Sequence, residues 1–161
     1  MSLAVRLANL DDPSDQAAIL ELIDMYARDP LGDDAPLAGD VRERLLPGLR
    51  QLGTCRVFLA QCRDEFVGIA VCFLGYSSFR ARPLVNIHDL AVTPGYRGKG
   101  VGKALLAAVE QAARSWGCCR LTLEVRHDNT RARQLYRQFG FESSAEPADS
   151  YLFWKKSLEG G

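Results

Sequence analysis

Apolar residues recur along this chain with two periods, and the switches between them mark its elements. Residues 4–7 read as a short first strand. Asp12-Pro13-Ser14-Asp15 supplies a helix start, with proline early and a carboxylate in the first turn. Ile19, Leu22, Ile23 and Tyr26 then fall at helical spacing on one face. Residues 29–36 are a loop by composition. A second helical stretch, 38–52, is predicted to break at Pro47. Strands are predicted at 56–61 and 66–74, joined by the turn Cys62-Arg63-Asp64-Glu65. After a polar connection at 77–83 comes a strand at 84–92. Val101, Leu105, Val109, Ala112 and Trp116 define one face of a helix over 101–116. Residues 121–125 form a further strand. Ala132, Leu135, Tyr136 and Phe139 line a helix over 130–139, and 151–154 read as a last short strand.

The order β-α-α-β-β-β-α-β-α-β predicts an α/β class (an α+β mixed sheet flanked by helices). At 161 residues, with no repeat or linker to divide it, the chain is expected to be a single domain over 1–161. Twenty basic residues balance twenty acidic ones, which argues against a nucleic-acid partner or a membrane surface. No apolar run approaches the ~20 residues that span a bilayer. Five cysteines without CxxC spacing, and two histidines that do not flank them, predict no metal site. An odd cysteine count without a secretion signal points to free thiols and a cytoplasmic location.

The chemistry concentrates at Arg97-Gly98-Lys99-Gly100-Val101-Gly102-Lys103, between a strand and a helix. Alternating glycines leave backbone N–H groups uncovered at the positive end of a helix dipole, with three cations beside them. That combination suits a phosphate or pyrophosphate. A GxxxxGK[ST] loop fails, because Arg97 stands where its first glycine belongs and Ala104 follows Lys103. GxGxxG fails too: the third glycine would fall at Lys103 or Leu105. A bare strand-to-helix turn needs fewer glycines and no cations.

The remaining form, Arg/Gln-x-x-Gly-x-Gly/Ala, matches Arg97 to Gly102. Here the chain resembles the GCN5-related N-acetyltransferases (GNAT). The wider run from Leu90 through Leu106 resembles that family's acetyl-CoA-binding segment. Asn129-x-x-Ala132-x-x-Leu135-Tyr136-x-x-x-Gly140-Phe141 resembles its second recurrent segment, at the expected distance. The resemblance covers about 84–141, the expected acetyl-CoA-binding core. Before that, only the element order matches.

The resemblance implies an N-acetyltransferase that moves acetyl from acetyl-CoA to a primary amine by direct attack in a ternary complex. Arg97, Gly98, Lys99, Gly100, Val101, Gly102 and Lys103 would hold the pyrophosphate. Leu90, Ala91 and Val92 would pair with the pantetheine arm where the strands at 84–92 and 120–125 splay. A backbone N–H of the first of these strands would polarise the thioester carbonyl. Tyr136 is the candidate acid for the departing thiolate, and its spacing also suits core packing. Polyamine-type members often carry Glu-Asp where this chain has His88-Asp89. His88 is therefore either the base or a hydrogen-bonded structural residue. Strand alternation puts Asn86, His88, Leu90 and Val92 on one face and Asp89 on the other, unless a bulge intervenes. Asn129 is either a helix N-cap or a pantetheine contact. His127-Asp128 reads as a solvated turn, and the cysteines receive no role.

The acceptor is expected to be a small-molecule or peptide amine bound by 26–52 and 76–82. Asp29, Asp33, Asp34 and Asp40 there would either steer a cationic amine or form a solvated loop. Acetyl-CoA is the expected cosubstrate, without metal. Dimers are frequent in the family, so a homodimer is an expected state. Two other functions fit the same residues: a catalytically silent CoA-binding module, and an acetyltransferase of aminoacyl-tRNA. The second calls for a broad basic surface that a neutral chain does not offer.

Overall fold

The computed structural model describes residues 1–143 and 155–158. Its elements, in order, are β1 (Leu3–Leu7), α1 (Pro13–Ala27), α2 (Gly39–Gln51), β2 (Cys55–Cys62), β3 (Glu65–Ser77), β4 (Arg82–Val92), α3 (Val101–Ser115), β5 (Leu121–Leu123) and α4 (Thr130–Gln138). The strand expected at 151–154 lies outside the described residues. The five strands form one mixed sheet in sequence order. β1 to β4 are antiparallel neighbours, and β5 runs parallel to β4.

β2 and β3 read as nearly continuous apolar runs because helices cover both faces of the sheet. Phe58, Ala60, Ala70, Cys72, Val85 and Ile87 pack on α3 through Val101, Leu105, Leu106 and Val109. Val57, Leu59, Ile69, Val71 and Ala91 pack on α1 and α2 through Ile19, Leu22, Leu46 and Leu49. Asp12 caps α1 by accepting the Asp15 N–H. β2 turns into β3 through Arg63-Asp64, with Arg63 at φ +55°.

Three boundaries depart from expectation. α2 runs through Pro47 without a break. The proline removes one backbone bond, and burial of Leu46 and Leu49 on either side holds both turns in place. The 77–83 connection shrinks to residues 78–81, because β3 and β4 keep pairing as far as Ser77 and Arg82. Pro83 fits as the second residue of β4, at a strand start where proline is tolerated. β5 stops at Leu123, short of Val125, because the chain turns away from β4 there.

Candidate active site

The β4–β5 ladder holds only three pairs: Val85 with Leu121, Asn86 with Thr122, and Ile87 with Leu123. β4 continues to Val92 while the other chain diverges toward α4. Between them opens a cleft of about 560 Å3, lined by Tyr26, Leu31, His88, Leu90, Asn129 and Tyr136 among others. The expected splay is therefore present. Which peptide groups face it follows from the ladder. Thr93 N–H donates to the Val67 carbonyl at 2.9 Å. Alternate residues of an antiparallel strand bond to the same neighbour, so Ala91 and Asp89 also bond to β3. Leu90 and Val92 turn their N–H and C=O groups to the gap. Ala91 was expected to share that role; its peptide faces β3 instead.

At the end of β4 a single 3-10 turn, Pro94–Tyr96, leads into the glycine turn. Gly98 and Gly100 stand at φ +76° and +85°, a region that side-chain-bearing residues avoid. Gly100 opens α3 with no side-chain cap. The first-turn N–H groups, through Lys103, thus lack intrahelical acceptors and form a ready anion cradle. A Cβ on Gly102 would lie 3.0 Å from Leu135 Cδ2, so that side chain would have to give way. The Lys99 ammonium sits over the Tyr96 ring, 5.3 Å from its centroid.

Arg97 was expected to add its charge to this cradle. Its guanidinium instead donates to Asp29 Oδ2 at 2.7 Å and to the Val92 carbonyl at 3.0 Å. Arg131, from α4, lies beside the turn. Leu135 packs against Gly102, and Arg131 precedes it by one helical turn on the same face. A Cβ on Gly98 would stand 3.1 Å from Arg131 Nη2. Arg131 makes no hydrogen bond or ion pair among the described residues. Sequence inspection shows a basic cluster at 131–137 but not which of its members reaches the turn.

β4 carries a bulge. Val71 pairs with Asp89 and the next residue, Cys72, with Ile87, so His88 is the extra residue. The bulge reverses the alternation. Val85 and Ile87 face α3, whereas Ala91 faces α1. Asp89 lies opposite Val71 and so shares the α1 side with His88, whose ring stands edge-on to Phe73 at 5.6 Å. The bulge that simple alternation left open is present, and it changes the face assignment past Ile87. Leu90 and Val92 pack toward α3, and Asp89 stands with His88. Burial pushes the Asp89 carboxyl above the usual carboxylate range, with His88 partly offsetting it. Tyr26, from α1, feels Asp89 and Asp29; burial and these charges raise its phenol.

The Tyr136 ring packs edge-on against Phe141 at 5.7 Å, as its spacing suggested, and the residue also lines the cleft. Burial pushes its phenol up to about 12. Asn129 is the N-cap of α4, its Oδ1 accepting the Ala132 N–H at 3.1 Å. The cap uses only the oxygen, so the amide nitrogen stays available to the cleft. His127-Asp128 is an exposed turn, with Asp128 paired to Arg126.

Of the four acidic residues expected to steer a cation, two are paired, Asp29 with Arg97 and Asp40 with Arg44. Asp33 and Asp34 are exposed. Tyr26, which lines the cleft, begins the segment expected to bind the acceptor; Asp89 and Arg131 are candidates that sequence reasoning did not single out. Among the described residues no cluster of His, Cys, Asp or Glu converges to hold a metal, and no helix is long and apolar enough to cross a membrane.

Comparison with known proteins agrees with this geometry. The profile of the acetyltransferase (GNAT) family matches residues 19–141. The uncharacterized N-acetyltransferase YhfO of Bacillus subtilis (strain 168) is 33% identical over 129 residues, covering 80% of this chain and 85% of the relative. The aminoglycoside N(6')-acetyltransferase type 1 of Stenotrophomonas maltophilia is 34% identical over 128 residues, covering 77% and 80%. A crystal structure of an aminoglycoside acetyltransferase from an uncultured soil metagenomic sample, in complex with sisomicin, superposes with a TM-score of 0.79. It is 20% identical, and the match covers 98% of this chain and 97% of that one. The chain belongs to the acetyltransferase (GNAT) family and is an acetyl-CoA-dependent acyltransferase.

Proposed function

We propose that the protein N-acetylates a primary amine that reaches the cleft from the α1 side while acetyl-CoA lies along β4. The observation that carries this reading is the gap between β4 and β5. It has the Leu90 peptide groups and the Val92 N–H open on one edge, an uncapped helix N-terminus at its end, and Tyr136 and the bulge residue His88 on its walls. Acetyl-CoA supplies a thioester carbonyl open to attack, with a thiolate as leaving group. The Leu90 peptide groups and the Val92 N–H would pair with its pantetheine arm, the α3 N-terminus and Arg131 would hold its phosphates, and the Asn129 amide nitrogen would donate to the arm.

Asp89, directly or through His88 and water, first passes one proton of the ammonium to solvent and then takes the second as the neutral amine attacks. Its raised pKa makes it a better base than an exposed carboxylate. As the C–N bond forms and the C–S bond breaks, the Tyr136 hydroxyl gives its proton to the sulfur. Solvent exchange then returns the proton from Asp89 to Tyr136. A Leu90 or Val92 N–H steadies the charge that develops on the carbonyl oxygen.

A cationic acceptor is favoured. Asp89 and Asp33 act on Tyr26 at the acceptor wall against the opposing charge of Arg126, which is itself paired to Asp128, and exposed Glu124 also lines the cleft. The Stenotrophomonas relative is named for aminoglycosides, which carry cationic amines. The test is acetyl-CoA consumption with a panel of polyamines, aminoglycosides, lysine peptides and neutral amino acids. Turnover confined to cationic amines is the expected result. Acetyl-CoA binding without turnover on any amine would favour a silent binding module, and salt-sensitive tRNA binding would favour aminoacyl-tRNA as acceptor.

A further inference from the structure

One carboxylate joins the acceptor wall to the cofactor edge. Asp29 Oδ1 accepts the Leu31 N–H at 2.9 Å, and Oδ2 accepts Arg97 Nη2 at 2.7 Å. Leu31 lines the cleft beside Tyr26 and His88. Arg97 Nε donates to the Val92 carbonyl at 3.0 Å, on the open edge of β4. The chain of contacts is thus Leu31, Asp29, Arg97, Val92, from one wall to the other.

Each link is held in place. The Asp29 and Arg97 side chains are only 16% and 33% exposed. The Asp29 backbone carbonyl also accepts the Gly32 N–H at 2.8 Å. Gly32 is folded so tightly onto the end of α1 that a Cβ there would lie 2.3 Å from the Tyr26 carbonyl oxygen. The Leu31 N–H and Arg97 keep the Asp29 carboxyl below the usual range, so it stays ionised at neutral pH.

We propose that Asp29 is a positioning residue that couples the two ligands. Through Arg97 it sets the Val92 edge that meets acetyl-CoA, and through Leu31 it sets the wall that meets the amine. This rests on the acetyltransferase reading above. Filling either side stiffens the bridge and prepares the other. The coupling belongs to the pair, so cutting it at either residue has the same effect.

The test compares wild type with Asp29→Asn, Arg97→Gln and the double variant. Three quantities are read: the acetyl-CoA Kd by calorimetry, the amine KM at saturating acetyl-CoA, and the thermal midpoint without ligand. In Asp29→Asn both constants are expected to rise about fivefold, a typical coupling between sites. Arg97→Gln matches it, and the double variant is no worse than either single. Losses that add, one constant rising alone, or a lower midpoint with both constants unchanged would overturn the coupling. Should Asp29→Asn fail to fold, unchanged constants in Arg97→Gln do the same. Wild type that binds no acetyl-CoA overturns the acetyltransferase reading and the coupling with it. Wild type that binds and turns over, with both single variants equal to it, overturns the coupling alone.

Discussion

In the proposed mechanism Tyr136 is the acid: burial keeps its phenol protonated, and its place on the cleft would let it pass that proton on. Tyr136→Phe preserves the ring and removes the donor. Turnover is expected to fall about a hundredfold, the usual worth of a general acid, while the acetyl-CoA Kd holds. Asp89, the proposed base, would act in the opposite sense and must be ionised to accept a proton. With its pKa raised, kcat/KM climbs with pH through a value above the ordinary ~3.9 of aspartate. Asp89→Asn is expected to lose both rate and that acid limb; a profile that keeps the limb would assign the proton to another group. Arg131 contributes charge without any protein partner among the described residues. Arg131→Ala is expected to weaken acetyl-CoA about fivefold, roughly 1 kcal/mol for an exposed charge contact. The difference from wild type should shrink as salt is added.

The elements differ in how openly their residues declare them. α3 is written in a clear apolar period, and the glycine turn before it in residue types that few other structures need. Motif and period reveal both. The β4 bulge leaves no such mark: Val85 to Val92 reads as an ordinary buried strand, and nothing in it says that His88 is extra. Its register comes from pairing with Val71 and Cys72 of β3, and so escapes local inspection. Arg131 is hidden for the same reason, since its place depends on how Leu135 meets Gly102. Pro47 shows the limit of local rules, because buried leucines carried the helix across it. α3 also sits very close to β3. A Cβ on Gly68 would lie 2.9 Å from Val101 Cγ1 and 3.2 Å from the Ala91 carbonyl oxygen. Gly68→Ala is expected to cost about 1–3 kcal/mol in urea unfolding. Because Val101 begins α3, acetyl-CoA affinity should fall with it.

For the whole molecule, the N-terminal strand is fastened by an ion pair whose acidic side is buried. Asp15, with 2% of its side chain exposed, accepts both Arg6 nitrogens at 2.6 and 2.8 Å and the Asn9 N–H at 2.8 Å. Arg6 is the main cause that lowers the Asp15 carboxyl. A lowered folded pKa adds stability that is present above the unfolded value of ~3.9 and is lost as pH falls through the folded one. Half of Arg6 faces solvent, which discounts the pair. Asp15→Asn is therefore expected to cost about 1–2 kcal/mol at pH 7, with the two proteins converging in acid. The element order through α4 and the place of the glycine turn were legible in the chain. The acceptor side was not, because it is assembled from α1, a loop and a bulge that share no motif. The short β4–β5 ladder also leaves a timing signature in the backbone. Without ligand, the amide hydrogens of Leu90 and Val92 face the gap and should exchange quickly with deuterium, while Ala91 between them, bonded to β3, should exchange slowly. On addition of acetyl-CoA that fast-slow-fast alternation is expected to vanish, and the strand should exchange as though it had gained a neighbour.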